Sequence, residues 1–304
     1  TSTVNSASQT VVGTGTPGAT VVVTSSTAGA LGTATVGANG EWSKSVIVVS
    51  GETVTAVATD AATNTATSAG IVYTIDSTAP VITAVSVDGG SVLNSTEVAS
   101  NASIIVTTTG VEDGQQVKVT LNSVEYSATV AGNKATVEIP SSVLSALTNG
   151  QSYNVTAAVS DAAGNAATST ASTSFTIDTA ATSTTTPIVA AITNDNTPSV
   201  DIGQALASGE TATLFVDGVA VASTYAANGG DSTLTPDVAL PDGQYQITYT
   251  ITDANGNVSA QTAADTVLVD TTAPEITITS STSTVNSASQ TVVGTGTPGA
   301  TVVV

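Results

Sequence analysis

Apolar and polar positions alternate with a period of two along most of this chain. The runs Thr20–Thr24, Ser45–Val49, Thr53–Ala58, Ile104–Thr108, Val117–Leu121, Ala135–Ile139, Tyr153–Val159, Thr211–Val216, Tyr245–Ile251 and Thr266–Val269 all show it. Successive side chains of a strand point to opposite faces, so this period predicts strands with one face buried. Val, Ile and Thr fill the runs, and their branched Cβ suits pleated backbone better than helix. Asn39-Gly40, Asp88-Gly89, Asp217-Gly218, Asn228-Gly229 and Asp242-Gly243 punctuate them. Asn and Asp tolerate the positive φ of two-residue hairpin turns, and Gly supplies it without steric cost. Helical signal is confined to Pro140–Leu147, which predicts one short turn linking two sheets. The expected fold class is all-β.

Repetition organises these strands. Residues Thr1–Val23 recur letter for letter as Thr282–Val304, an offset of 281 residues. The simplest account is a parent protein with near-identical units in tandem, this chain being one unit and the opening of the next. Inside the unit three segments resemble one another, at 59–80, 160–182 and 252–274. Each opens on Asp-x-x-x-Asn (Asp60/Asn64, Asp161/Asn165, Asp253/Asn257) and closes on an alternating strand that ends in Asp76, Asp178 or Asp270. Three such segments give modules of about 94 residues, close to an immunoglobulin-like sandwich. The expected boundaries are 1–79, 80–180 and 181–273, with 274–304 opening the next repeat. Pro80 and Pro274 stiffen two of the joints. The middle joint, Ala180–Pro187, is longer and Thr-rich. No joint is long enough for a free tether, so the expected arrangement is a fairly stiff, extended rod. The final segment, without its partner strands, is expected to be disordered unless it pairs with something else.

Composition narrows what such a string can do. The 304 residues include 23 acidic and three basic side chains, Lys44, Lys118 and Lys134, for a net charge of −20. With no Arg there is little to displace counterions from phosphate, which argues against nucleic acid and against an anionic membrane surface. No apolar run reaches the length that spans a bilayer. The absence of His and Cys removes Ser-His-Asp and Cys-His catalysis, thiol chemistry and a disulfide framework. Gly13, Gly15 and Gly18 form a GxGxxG string, but it precedes a strand and reads as a turn. Catalytic and cofactor-binding residues are therefore expected to be none. Trp42 reads as a core or sheet-face side chain. Composition and repetition together point to an extracellular protein.

The acidic residues have one further use. Calcium takes six to eight oxygens from carboxylates, Asn side chains and carbonyls. Asp-x-x-x-Asn falls on the loop before the last strand of each module, and the closing Asp at that strand's far end. The two are thus placed to meet neighbouring modules rather than each other. Candidate calcium ligands at the joints are Asp161, Asn165, Asp178, Asp195, Asp253, Asn257 and Asp270, and then Asp60, Asn64 and Asp76. Asp201 has a place comparable to that of Asp195. The same residues serve equally as Asx-turn and hairpin formers.

Val-Ser-Asp-Ala-Ala-Gly-Asn at 159–165, Ile-Thr-Asn-Asp-Asn-Thr-Pro at 192–198, Val-Asp-Thr-Thr-Ala-Pro at 269–274 and Gly-Thr-Gly-Thr-Pro-Gly-Ala-Thr-Val at 13–21 together resemble the bacterial immunoglobulin-like repeats of giant secreted adhesins and biofilm-associated proteins. The resemblance covers essentially the whole chain. It implies a string of β-sandwiches at the bacterial cell surface, with a role in attachment or biofilm cohesion and calcium at the joints. Its partners would be neighbouring copies of the repeat and other chains of the same protein, with no nucleic acid and no membrane insertion. The first module departs from the pattern at Thr63 and Ser77, and the middle joint lacks the Pro. The leading expectation is a structural spacer. The alternatives are a polymerising filament, sheath or surface layer, and a glycan- or ice-binding module. Aromatic residues make up only 3% of the chain, which leaves few platforms for a sugar.

Overall fold

The computed structural model describes residues 1–167, 171–228, 232–280 and 289–303. It divides into two compact units, Thr1–Thr179 and Ala180–Val304. All ten alternating runs lie in or overlap strands: Thr20–Ser25, Glu41–Ile47, Thr53–Thr59, Ala102–Thr109, Gln116–Leu121, Lys134–Ile139, Ser152–Val159, Thr211–Val216, Gly243–Thr252 and Asp265–Val269. Helix is limited to two single turns among the described residues, Ser95–Val98 and Ser141–Leu144. The second is the one expected after Pro140, and it leads from one sheet to the other. The first was not anticipated, although Asn94 and Glu97 form a capping box that holds it. No helix among the described residues is long and apolar enough to cross a membrane.

The strands form three two-sheet sandwiches. In the first, a sheet in the order Ser2–Val4, Ile71–Ile75, Thr53–Thr59, Thr20–Ser25, Gly29–Thr35 faces the pair Ser8–Thr14 and Glu41–Ile47. In the second, the order Val92–Leu93, Ser172–Ile177, Ser152–Val159, Gln116–Leu121, Val124–Thr129 faces Lys134–Ile139, Ala102–Thr109 and Val81–Val87. The third repeats the plan. Ile192–Thr193, Asp265–Val269, Gly243–Thr252, Thr211–Val216 and Val219–Val221 face Val200–Asp201, Thr233–Pro236 and Ser223–Ala226. One feature recurs in all three: a short early strand runs parallel to the last strand. The pairs are Val4 with Ile75, Leu93 with Ile177, and Thr193 with Val269.

Each sandwich has its own core. The second is the fullest, with Ile104, Val119, Leu121, Ile139, Val155, Phe175 and Ile177 among its buried side chains. Tyr153 and Phe175 are tilted against each other at 6.0 Å. The third is built around Leu214, Ile247, Tyr249 and Val267. Tyr249 is fully buried and satisfies its hydroxyl by donating to the Ile202 carbonyl at 3.0 Å. The first has two small clusters of mostly Val and Ala, and half-buried Trp42 packs against both. Gly13 sits beneath that indole inside a strand, where a Cβ would fall 2.8 Å from the ring. The Gly13–Gly18 string is thus partly strand, and only Gly18 takes the positive φ of a turn.

The turns separate into kinds that the dipeptides alone do not distinguish. Asp217-Gly218 closes a tight hairpin between Val216 and Val219, both turn residues at positive φ. Asn39-Gly40 and Asp88-Gly89 instead follow strands whose next neighbour in sequence lies in another sheet. Asp242-Gly243 opens a strand rather than a hairpin. Gly229 lies outside the described residues. Asn122-Ser123 forms a two-residue hairpin that no Gly announced. Beyond the third sandwich, Ile276–Ile278 pairs antiparallel with Gly294–Gly296, both strands lying within the closing segment. That pairing matches the second sandwich, where Val81–Val87 follows Pro80 and pairs antiparallel with Ala102–Thr109.

Candidate functional site

The three Asp-x-x-x-Asn segments fold into one and the same turn. Asp60, Asp161 and Asp253 each donate their N–H to the carbonyl of the Asn four residues on, at 3.1, 3.1 and 2.9 Å. The same Asn returns its N–H to Oδ1 of the Asp, at 2.9, 2.8 and 2.8 Å. Its amide Nδ2 donates to Oδ2, at 2.9, 2.8 and 3.0 Å. Both carboxylate oxygens are therefore engaged within the turn, and the pattern needs an acid at the first position and an amide at the fifth. The residue before the Asn takes positive φ: Thr63 at 68°, Gly164 at 90° and Gly256 at 88°. Gly meets this freely, whereas a β-branched Thr is strained there.

At Asp60 and Asp253 these bonds favour the ionised acid. The Asn64 amide, then its backbone N–H, holds the Asp60 carboxyl below its ordinary range. At Asp253 burial pushes upward most strongly, but the Asn257 side chain and the N–H groups of Asn257, Asn255 and Gly256 together outweigh it.

The far end of each sandwich carries a second recurrent element. Asp76, Asp178 and Asp270 donate their N–H to the carbonyls of Val4, Leu93 and Thr193, at 2.9, 3.0 and 2.9 Å. Each of those three residues is followed by an Asn: Asn5, Asn94 and Asn194. Parallel pairing thus sets an Asn beside the closing Asp at every sandwich end. The carboxylates of Asp76 and Asp270 accept from the N–H groups of Thr78 and Thr272, two residues on. Asp195 does the same with Thr197, and Asp201 with Gly203.

Within the first unit the two elements meet. Asn165 uses its second amide hydrogen to donate to the Asp76 carbonyl at 2.8 Å. Asn5 donates from Nδ2 to the Gly164 carbonyl at 3.0 Å. The end of the first sandwich is therefore seated on the Asp161–Asn165 turn of the second by two reciprocal amide–carbonyl bonds. Glu112 supports that turn by accepting from the Ala162 N–H at 2.8 Å. Pro80 lies close to Gly110, whose Cβ would be 3.6 Å from it. Asp161 is buried here, 3% exposed.

Other acids hold chain segments that sequence reasoning did not mark. Asp242 accepts from the N–H and hydroxyl of Thr271 at 2.9 and 2.6 Å and from the hydroxyl of Thr272 at 2.7 Å. Those Thr271 bonds, then the Thr272 hydroxyl, hold its carboxyl below the ordinary value. Buried Glu52 accepts from Ser25, from the Val49 N–H and from Thr27, and Ser25 leads the causes that lower it. Glu210 accepts from Thr182 and from the Ala207 N–H. The recurrence of Ser-Gly-Glu-Thr at 50–53 and 208–211 was the available signal.

Among the described residues no three acidic side chains gather into a group able to hold a metal ion. Of the candidate calcium residues, Asp60, Asn64, Asp161, Asn165, Asp253 and Asn257 lie in turns completed by their own N–H groups and amides.

Two family models match the chain. One, described as a bacterial Ig-like domain, matches residues 79–179 and 180–271. The other, described as a bacterial Ig domain, matches residues 1–75. Among solved structures, a calcium-stabilised adhesin with which an Antarctic bacterium binds ice is 27% identical, over 91% of this chain and 74% of that one, with a TM-score of 0.45. A 1.5-MDa bacterial ice-binding adhesin is 23% identical, over 88% and 95%, with a TM-score of 0.41. An immunoglobulin-like domain of the M. primoryensis ice-binding adhesin is 28% identical, over 32% and 99%, with a TM-score of 0.25. No curated protein sequence matches.

Proposed function

The chain belongs to the bacterial immunoglobulin-like domain family, and from that premise we propose that it is a repeat region of a giant extracellular adhesin or biofilm surface protein. In this reading it is a non-catalytic spacer that carries a binding region away from the cell. The observation that supports it best is the seating of the first sandwich on the second by the Asn165 and Asn5 bonds. Two directional bonds and a short Pro-ended linker limit bending at that joint, which a spacer requires and an independent binding module does not. Verbatim recurrence of 23 residues at an offset of 281 agrees, because copying whole units lengthens the molecule without altering any surface. The absence of His, Cys and Arg leaves little for catalysis or phosphate recognition.

Calcium enters the proposal in a reduced role. With no gathered acidic group among the described residues, ions attracted by the charge of −20 would screen repulsion rather than complete a coordination shell.

Length is the test. In small-angle scattering of one, two and three repeats, the maximum dimension should grow by the same increment with each copy. A maximum dimension that saturates as copies are added would overturn the spacer. Side-by-side bundles in electron micrographs would instead favour a polymerising filament or layer.

A further inference from the structure

We propose that the third sandwich of one repeat docks on the first sandwich of the next through the same reciprocal bonds that join the first and second. Asn194 would donate to the Thr63 carbonyl, and Asn64 to the Asp270 carbonyl.

Both halves of this contact are already present. The end of the third sandwich reproduces that of the first: Thr193 pairs parallel with Val269, and the Asp270 N–H is bound to the Thr193 carbonyl. This places Asn194 where the first sandwich has Asn5. Asn194 is exposed, with no side-chain hydrogen bond among the described residues. The receiving turn, Asp60–Asn64, has the same bonds as Asp161–Asn165. Yet Asn165 and Asp161 are half-buried and buried under the preceding sandwich, whereas Asn64 is exposed and its amide donates only to Asp60 among the described residues. An Asn amide has two hydrogens to donate, so one at Asn64 is left for a carbonyl acceptor.

The linkers agree as well. Asp76-Ser-Thr-Ala-Pro80 and Asp270-Thr-Thr-Ala-Pro274 have equal length. Each leads into a strand that pairs antiparallel with a later one, Val81–Val87 with Ala102–Thr109 and Ile276–Ile278 with Gly294–Gly296. The occupant is a second copy of this repeat, because identity over 23 residues at an offset of 281 puts the opening of a first sandwich at Thr282, shortly after Asp270.

Thr63 is the one marked difference in the receiving turn. A Cβ built at the matching Gly164 lies 3.5 Å from Asn5 Nδ2, an ordinary contact. The Cβ of Thr63 therefore does not bar the incoming Asn. Its φ of 68° lies in the same left-handed region as the 90° of Gly164.

The inference rests on the tandem reading of the repeat. It is tested on two consecutive 281-residue repeats. The chain has no Cys, so Val238→Cys in the first copy and Val12→Cys in the second, 73% and 70% exposed, give a unique pair for spin labels. The distance distribution should be narrow and single-peaked in the parent. Asn194→Ala in the first copy, or Asn64→Ala in the second, should abolish the narrow peak. Asn5→Ala in the first copy, at a different joint, should leave it in place. Asn194→Ala holds no described bond inside its own sandwich, so an unchanged circular dichroism spectrum will separate loss of docking from loss of fold. A broad parent distribution, or a peak that survives both Asn variants, would overturn the docking. Even then the spacer stands as long as length grows with copy number.

Discussion

Asp60, Asp161 and Asp253 meet a local difficulty in the same way. A tight turn leaves backbone N–H groups without partners, and an ionised carboxylate two to four residues earlier accepts them. This gives the acids a measurable part in stability. Asp60, Asp242, Asp253 and Glu52 all have folded-state pKa values below their ordinary ones. A group depressed in this way stabilises the fold above its unfolded pKa, and the contribution is lost as pH falls through the folded value. The melting temperature should therefore hold level from neutral pH to about 5 and decline below about 4, where carboxylates ordinarily titrate. A decline that begins above pH 6 in a calorimetric titration would show that these turns are not what acid disrupts.

At the level of strands and cores, much of the fold is legible because alternation is a local signal. Thr211–Val216 is found to the residue, and Gln116–Leu121 to within one. Gly29–Thr35 was missed because Gly and Ala give no contrast between faces. Val81–Val87 was missed because Pro80 drew attention to a linker. The short parallel pairs at the sandwich ends join residues some 70–85 positions apart, and nothing local encodes them. The candidate site was half legible for the same reason. Asp-x-x-x-Asn and the closing Asp recur in the sequence, but the role of Asn5, and that of Asn165 in reaching the Asp76 carbonyl, depends on those long-range pairs. Core size yields a prediction here. The first sandwich buries two small clusters of mostly Val and Ala, whereas the second buries Phe175, Leu121 and four Ile among others. With about 25 cal/mol gained per Å² of apolar surface removed from water, the first should open before the second. Trp42 is the only Trp and belongs to the first. Its fluorescence should change at a lower denaturant concentration than the far-ultraviolet dichroism of the whole chain. Coincident midpoints would mean that the joint makes the two sandwiches unfold as one.

For the molecule as a whole, charge and repetition matter more than any single site. A chain at −20 repels itself, and each added copy adds to the charge. Divalent cations should raise the melting temperature modestly, magnesium about as well as calcium, and matched monovalent salt should reproduce most of the rise. A saturable increase specific to calcium at low concentration would show instead that Asp161, Asp178, Asp253 or Asp270 does complete a shell.

The parallel pairing of an early strand with the last one has a mechanical side. When the two ends of a sandwich are pulled apart, parallel neighbours slide past each other, so their hydrogen bonds are loaded together rather than peeled one at a time. Val4 against Ile75, Leu93 against Ile177 and Thr193 against Val269 occupy that position in their respective sandwiches. Tension along the chain would pull first on these clasps, and each must yield to shear before its core is exposed.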